Sequence, residues 1–192
     1  MNIIFATNNA HKLSEIRHAL GDRFELVSLK EIGFTGEIPE TGPTLESNAL
    51  EKARYIFDRY SLPVFADDSG LEVDALNGAP GVDTAHYSGT RDADANMAKL
   101  LKALNGKENR RARFHTIIAF KTAETEEIFE GEIKGTITHN KRGTSGFGYD
   151  PIFIPEDCDQ TFAEMGMEEK SKMNHRVRAL EKLMGFLRNH GV

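Results

Sequence analysis

The sequence predicts an α/β fold built on a mixed sheet, and three observations carry that expectation. Ile3 to Ala6 is a short apolar run, a helix follows with Leu13, Ile16 and Leu20 at helical spacing, and Phe24 to Leu29 reads as a second strand, so the chain opens β-α-β. Ala112 to Lys121 and Glu126 to Thr138 are two long runs rich in Ile, Phe and Thr, joined at residues 122–125, the pattern of a long antiparallel hairpin. A β-α-β start and an antiparallel hairpin within one chain imply a sheet that is neither purely parallel nor purely antiparallel.

Each element follows from local composition. Thr7-Asn8-Asn9 closes the first strand and opens the first helix, which Gly21 stops. Residues 31–43, with Gly33, Gly36, Pro39, Gly42 and Pro43, read as a loop that carries two acids, Glu37 and Glu40. Thr44 is placed to cap a helix whose Leu45, Ala49, Ala53, Ile56 and Tyr60 form one stripe. Pro63 separates that helix from a short buried strand, Val64-Phe65-Ala66, which runs into Asp67-Asp68-Ser69-Gly70. Residues 74–94 are turn-rich. A helix is expected over Ala93 to Leu104, with Met97, Leu100, Leu101 and Leu104 on its inner side, and another from about Asn174 to Arg188. No internal repeat, low-complexity tract or dividing linker interrupts the chain, so residues 1–192 read as a single domain.

Bulk properties narrow the function. The 192 residues suffice for one domain with a real core, and 39% hydrophobic with 28% charged residues is ordinary globular composition. A net charge of -6 argues against a general nucleic-acid binder. No stretch approaches the roughly 18 consecutive apolar residues that span a bilayer, so no membrane role is expected. The start has no basic n-region of a signal peptide, and the single cysteine, Cys158, excludes an internal disulfide; both fit a reducing cytoplasm.

Five segments carry possible chemistry, and each also has a bland reading. Residues 7–12 (Thr7, Asn8, Asn9, Ala10, His11, Lys12) offer a helix N-terminus and a lysine to a phosphate, or simply a helix cap and a surface lysine. Asp67-Asp68 follows a strand, where ligands gather in open α/β sheets, and Glu40 offers a second oxygen donor; alternatively Asp-Asp-Ser-Gly is a polar turn. Strand alternation sends at most one of the two aspartates toward a ligand. Asn48 and Lys52 lie four apart on one helix face. Phe147-Gly148-Tyr149-Asp150 presents an aromatic between glycines, a shelf for a flat base or an ordinary turn with a core phenylalanine. Lys170 to Arg176 gathers basic residues at the start of the last helix, where they oppose its dipole unless an anion is bound. Together these are the parts of a nucleotide phosphohydrolase: phosphate holders, metal carboxylates, an aromatic shelf and a second basic group.

In these five segments the chain resembles the inosine triphosphate pyrophosphatase family. The matching stretches are ATNNAHK (6–12), ETGPTLESNALEKA (40–53), ADDSGLEVDALNGAPGV (66–82), GTSGFGYDPIFIP (143–155) and TFAEMGMEEKSKMNHRVRALEKL (161–183), in the family's order and covering nearly the whole chain. The resemblance implies a long twisted mixed sheet flanked by helices in two lobes with a central cleft, and a homodimer. It implies Mg2+-dependent hydrolysis of purine nucleoside triphosphates of the wrong base, ITP, dITP and XTP, to monophosphate and pyrophosphate. Asp68 matches the family's general base, and Glu40 with Asp68 matches the metal positions. Residues 7–12, Ser69, Phe147, Gly148, Tyr149, Asp150, Lys170, His175 and Arg176 match nucleotide contacts, and Lys52 matches a lysine near the phosphates. His175 and Arg176 are expected on the 6-oxo edge of the base. The chain departs from the family at Asn174 (usually Ser), Ser47 (often Glu), and Asp83 and His86 (usually Tyr and Arg). A pyrophosphatase for other modified nucleotides and a non-catalytic nucleotide sensor are the competing readings.

Overall fold

The structure is a computed structural model that describes residues 2–20 and 25–190. Among the described residues seven strands form a mixed sheet: β1 (Asn2–Phe5), β2 (Glu25–Ser28), β3 (Val64–Val73), β4 (Pro80–Gly81), β5 (Arg111–Lys121), β6 (Glu126–Ile137) and β7 (Phe153–Pro155). Their order is β2-β1-β3-β5-β6-β7, with β4 on β3. β1 pairs parallel with both β2 and β3, whereas β3–β4 and β6–β7 are antiparallel, so the mixed character expected from the sequence holds. The helices of the described residues are α1 (Ala10–Leu20), α2 (Leu45–Tyr60), α3 (Ala93–Ala103), α4 (Met167–Ser171) and α5 (His175–Asn189).

The chain forms two compact units, and β3, β5 and β6 contribute residues to both. The first comprises residues 1–68, 116–131 and 176–192. Its core is Ile3 and Phe5 of β1, Ile16 and Leu20 of α1, Phe65 of β3, Ile118 and Phe120 of β5, and Ala179, Leu180, Leu183, Met184 and Leu187 of α5. Phe5 and Phe65 stack at 4.6 Å on the paired strands β1 and β3. The second unit comprises residues 69–115 and 132–175. It buries Leu71 and Val73, Met97, Leu100 and Leu104 of α3, and the aromatic group Phe114, Phe153 and Phe162. The Phe114–Phe153 and Phe153–Phe162 ring centroids lie 4.7 and 5.4 Å apart.

Two helix starts show how local chemistry fixes the frame. Asn9 Oδ1 accepts the backbone N–H groups of His11 and Lys12, so Asn9 is the member of Thr7-Asn8-Asn9 that caps α1. Thr44 caps α2 as expected, and Ser47 completes a reciprocal capping box, supplying with a hydroxyl what a glutamine or glutamate usually supplies at that position.

The sequence expectation needs correction in two places. β3 does not end at Ala66; it runs through Asp67 and Asp68 to Val73, because the buried Asp67 is neutralised by cations and its burial inside a strand is therefore tolerable. Lys170 also does not begin the last helix. It lies in the separate five-residue α4, and α5 starts at His175. The expected stop at Gly21 and the strand start at Phe24 fall outside the described residues. β4 and β7, of two and three residues, are too short to leave an alternation signal.

Candidate functional site

In the first unit, α1, the loop before α2, α2 itself, β3 and the start of α5 bring seven charged side chains together. Asp67 is fully buried; its Oδ2 takes Lys12 Nζ at 2.9 Å and Arg176 Nε at 3.0 Å. The other side of the Arg176 guanidinium pairs with Glu15. Burial alone would push the Asp67 carboxyl up, but Lys12, Arg176 and Lys52 outweigh it and hold it well below the usual carboxylate range. The same burial lowers the Lys12 ammonium, against the pull of Asp67.

Asp68, the next residue, has different company. Its Oδ2 accepts from Asn48 Nδ2 at 3.2 Å, and its Oδ1 lies 3.7 Å from Lys52 Nζ. Lys52 also pairs with Glu40, so both carboxylates named from the sequence converge on one ammonium. Burial raises the Asp68 carboxyl, with Lys52 and Lys12 pulling the other way. At Lys52 burial opposes the charge, yet Asp68, Asp67 and Glu40 together raise it. Among the described residues no group of three or more His, Cys, Asp or Glu is disposed to hold a metal. The convergent pair Glu40 and Asp68 is a two-carboxylate arrangement centred on a cation position, which suits an ion that takes its other ligands from water and phosphate.

Asn48 connects this pair to the loop before α2. Its Oδ1 accepts Gly42 N–H at 2.7 Å while its amide holds Asp68. Gly42 has to be glycine, since a Cβ there would overlap Ser47 Oγ and press on Asn48 Oδ1. The Asn48–Lys52 face that the sequence singled out is therefore the face that supports Asp68 and Glu40.

Residues 7–12 divide in use. Asn9 is occupied with capping, Asn8 Nδ2 donates to Gly36 O at 3.2 Å and tethers the following loop, and Lys12 reaches Asp67. Thr7 Oγ1 accepts from Asn9 N–H, and Ala10 and His11 are exposed. Ser69 follows Asp68 in β3 and is half-buried.

In the second unit the candidates form an aromatic and basic group. Lys170 Nζ pairs with Asp150 Oδ2 at 2.7 Å and sits 5.0 Å from the Phe147 ring centroid and 5.4 Å from that of Phe162. Asp150 Oδ2 also accepts Phe147 N–H at 2.8 Å, which fixes the aromatic shelf to the salt bridge. Gly146 adopts φ +78°, and a Cβ there would collide with the Asp150 carboxylate, so this turn tolerates only glycine. Phe147 is half-buried and not core, Gly148 turns the chain at φ +61°, and Tyr149 is buried with its hydroxyl donating to Thr84 O at 2.9 Å. His175 is buried and stacks on Phe114 at 4.9 Å. Arg176, expected beside it on the base edge, is turned instead to Asp67 and Glu15. Glu15 was missed in the sequence; its only signal is a carboxylate adjoining Ile16 on the buried side of α1.

A sequence model of the Ham1 family matches residues 3–186. The chain belongs to the Ham1 family. Among Ham1-family relatives, a protein of Porphyromonas gingivalis named dITP/XTP pyrophosphatase is 53% identical over 187 residues, covering 96% of each chain. A Bacillus subtilis protein of the same name is 46% identical over 189 residues, again 96% of each. The solved Ham1 protein of Staphylococcus aureus superposes with a TM-score of 0.90 at 35% identity, covering 99% of this chain and 100% of that one. The α/β family fold expected from the sequence is thereby the observed one.

Proposed function

We propose that this chain hydrolyses the noncanonical purine nucleoside triphosphates ITP, dITP and XTP to the nucleoside monophosphate and pyrophosphate, with Mg2+ as the metal. The observation that carries the reading is the convergence of Glu40 and Asp68 on Lys52, in a chain 53% identical over almost its full length to a relative named for that activity. Glu40 and Asp68 would hold the ion, and magnesium suits them because it binds through one or two carboxylates and completes its shell with waters and phosphate oxygens. Once bound it supplies Lewis-acid charge to those oxygens.

The remaining chemistry belongs to side chains. Asp68 takes the proton of the attacking water, with Asn48 fixing the orientation of its carboxylate. The water oxygen bonds to the α-phosphorus, the bond to the bridging oxygen breaks, and pyrophosphate leaves with that electron pair. Lys52 and Lys12 oppose the charge that grows on the phosphate oxygens. Asp67 is not a second base: pinned by Lys12 and Arg176, it stays ionised and holds both cations in place. Phe147 stacks on the base, Lys170 and Asp150 steady that shelf, and His175 meets the 6-oxo edge. Adenine would place an amino group against that donor and leave it unpaired, which rejects the common nucleotide. Thr7, Asn8, Ser69 and Gly148 are assigned to nucleotide contacts on the strength of the family resemblance. That resemblance also supports a homodimer, which sedimentation at micromolar concentration tests, and the single cysteine fits a reducing cytoplasm. Among the described residues no helix is long and apolar enough to cross a membrane.

The test is product identification. Incubation with ITP and magnesium should yield inosine monophosphate and pyrophosphate, with turnover abolished by a chelator. Release of inosine diphosphate and phosphate, or bound nucleotide without turnover, would refute the reading.

A further inference from the structure

A basic concavity lies in the second unit, at the C-terminal end of α3. It has a volume of about 620 Å3, in the range of small-ligand sites, and its polar lining includes Lys102, Asn105, Lys107, Arg110 and His139. Glu108 is the one acid in the lining. In a chain of net charge -6, this is a local excess of positive charge.

Arg110 gives the concavity a fixed floor. Its side chain is buried, and its guanidinium donates to Leu104 O at 3.1 Å, Ile137 O at 2.8 Å and Thr138 O at 2.7 Å. These bonds tie the end of α3 to the end of β6; the three carbonyls, one of them at the negative end of the α3 dipole, offset part of the cation's charge and leave two of its five N–H groups unspent. Burial disfavours the charged form, lowering the guanidinium. Among the described residues, neither Arg110, Lys102 nor Lys107 forms an ion pair with a carboxylate. Two exposed ammonium groups, an amide and a hydrogen-bonded guanidinium around one pocket match the donor needs of a polyvalent oxyanion.

We propose that this concavity binds a phosphoryl group, free or carried on a small molecule, with Lys102, Lys107 and Arg110 as the principal cations. Nothing in the proposed hydrolysis uses these residues, so the two readings stand or fall separately.

The full-length protein, uniformly labelled with nitrogen-15, can be titrated with inorganic pyrophosphate and, separately, with adenosine monophosphate. Saturable amide shifts at residues 104–107 and 139 are expected with at least one of the two, and which one identifies the source of the phosphoryl group. Lys102→Gln combined with Lys107→Gln should weaken that binding about tenfold or more while leaving kcat on ITP unchanged, since both lysines are exposed and remote in sequence from the reacting groups. Shifts confined to residues 7–12, 40–52 and 67–69, or shifts at 104–107 that survive the double substitution unchanged, would overturn the proposal.

Discussion

Both units set a lysine against an aspartate, and they do so to different ends. In the first, ion pairs among the described residues join four carboxylates (Glu15, Glu40, Asp67, Asp68) to three cations (Lys12, Lys52, Arg176). In the second, Lys170 and Asp150 balance one to one between the rings of Phe147 and Phe162. An acid-rich cluster invites a further cation, whereas a neutral pair framed by aromatics offers a flat surface. On the proposed reading, charge imbalance goes with handling of metal and triphosphate, and charge balance beside an aromatic goes with reading of a base.

The sharpest way to break that division is within the acidic cluster, where adjacent aspartates carry opposite duties. Asp68→Asn should reduce kcat by at least about 100-fold, the scale of a lost general base, with the melting temperature nearly unchanged. Asp67→Asn should do the reverse in kind: it leaves Lys12 and Arg176 short of a buried counter-charge and should cost about 3–5 kcal/mol of stability by chemical denaturation. The sign with pH follows from the depressed Asp67 carboxyl. Its contribution is fully present above the ordinary carboxylate value near 3.8 and is lost as pH falls from there toward the folded-state value. Wild-type stability should therefore drop below about pH 4 more steeply than that of Asp67→Asn.

The neutral group should respond through binding. Phe147→Ala should raise KM for ITP by roughly 5- to 150-fold, equivalent to the 1–3 kcal/mol of a base–aromatic stack, with less effect on kcat. The smallest effect is expected outside both groups: Thr44→Ala removes the α2 cap at about 1 kcal/mol of stability, with kcat/KM retained.

Much of this arrangement was legible in the sequence because its signals are local. The α2 stripe and its Thr44 cap, the glycine-flanked Phe147 and the Asn48–Lys52 spacing each depend on neighbours in the chain, and the structure places them as those patterns suggest. Alternation along β3 likewise separates the buried Asp67 from the partly exposed Asp68. What escaped was non-local. Residues 161 positions apart make the Arg176–Glu15 contact, and no spacing rule reaches that far. The same contact takes Arg176 away from the base edge that its neighbour His175 suggested. β3 was cut short at Ala66 because an aspartate reads as a strand breaker until its counter-charges, Lys12 and Arg176, are known.

On the proposed reading, Glu40 and Asp68 together hold a divalent ion beside Lys52. Manganese, which replaces magnesium at oxygen sites and is visible by electron paramagnetic resonance, can be titrated into the protein with a non-hydrolysable inosine triphosphate analogue present. One saturable ion per chain is expected, bound about tenfold or more weakly in both Glu40→Gln and Asp68→Asn and with unaltered affinity in Lys170→Gln. Equal manganese affinity in the wild type and the two carboxylate variants would contradict the account.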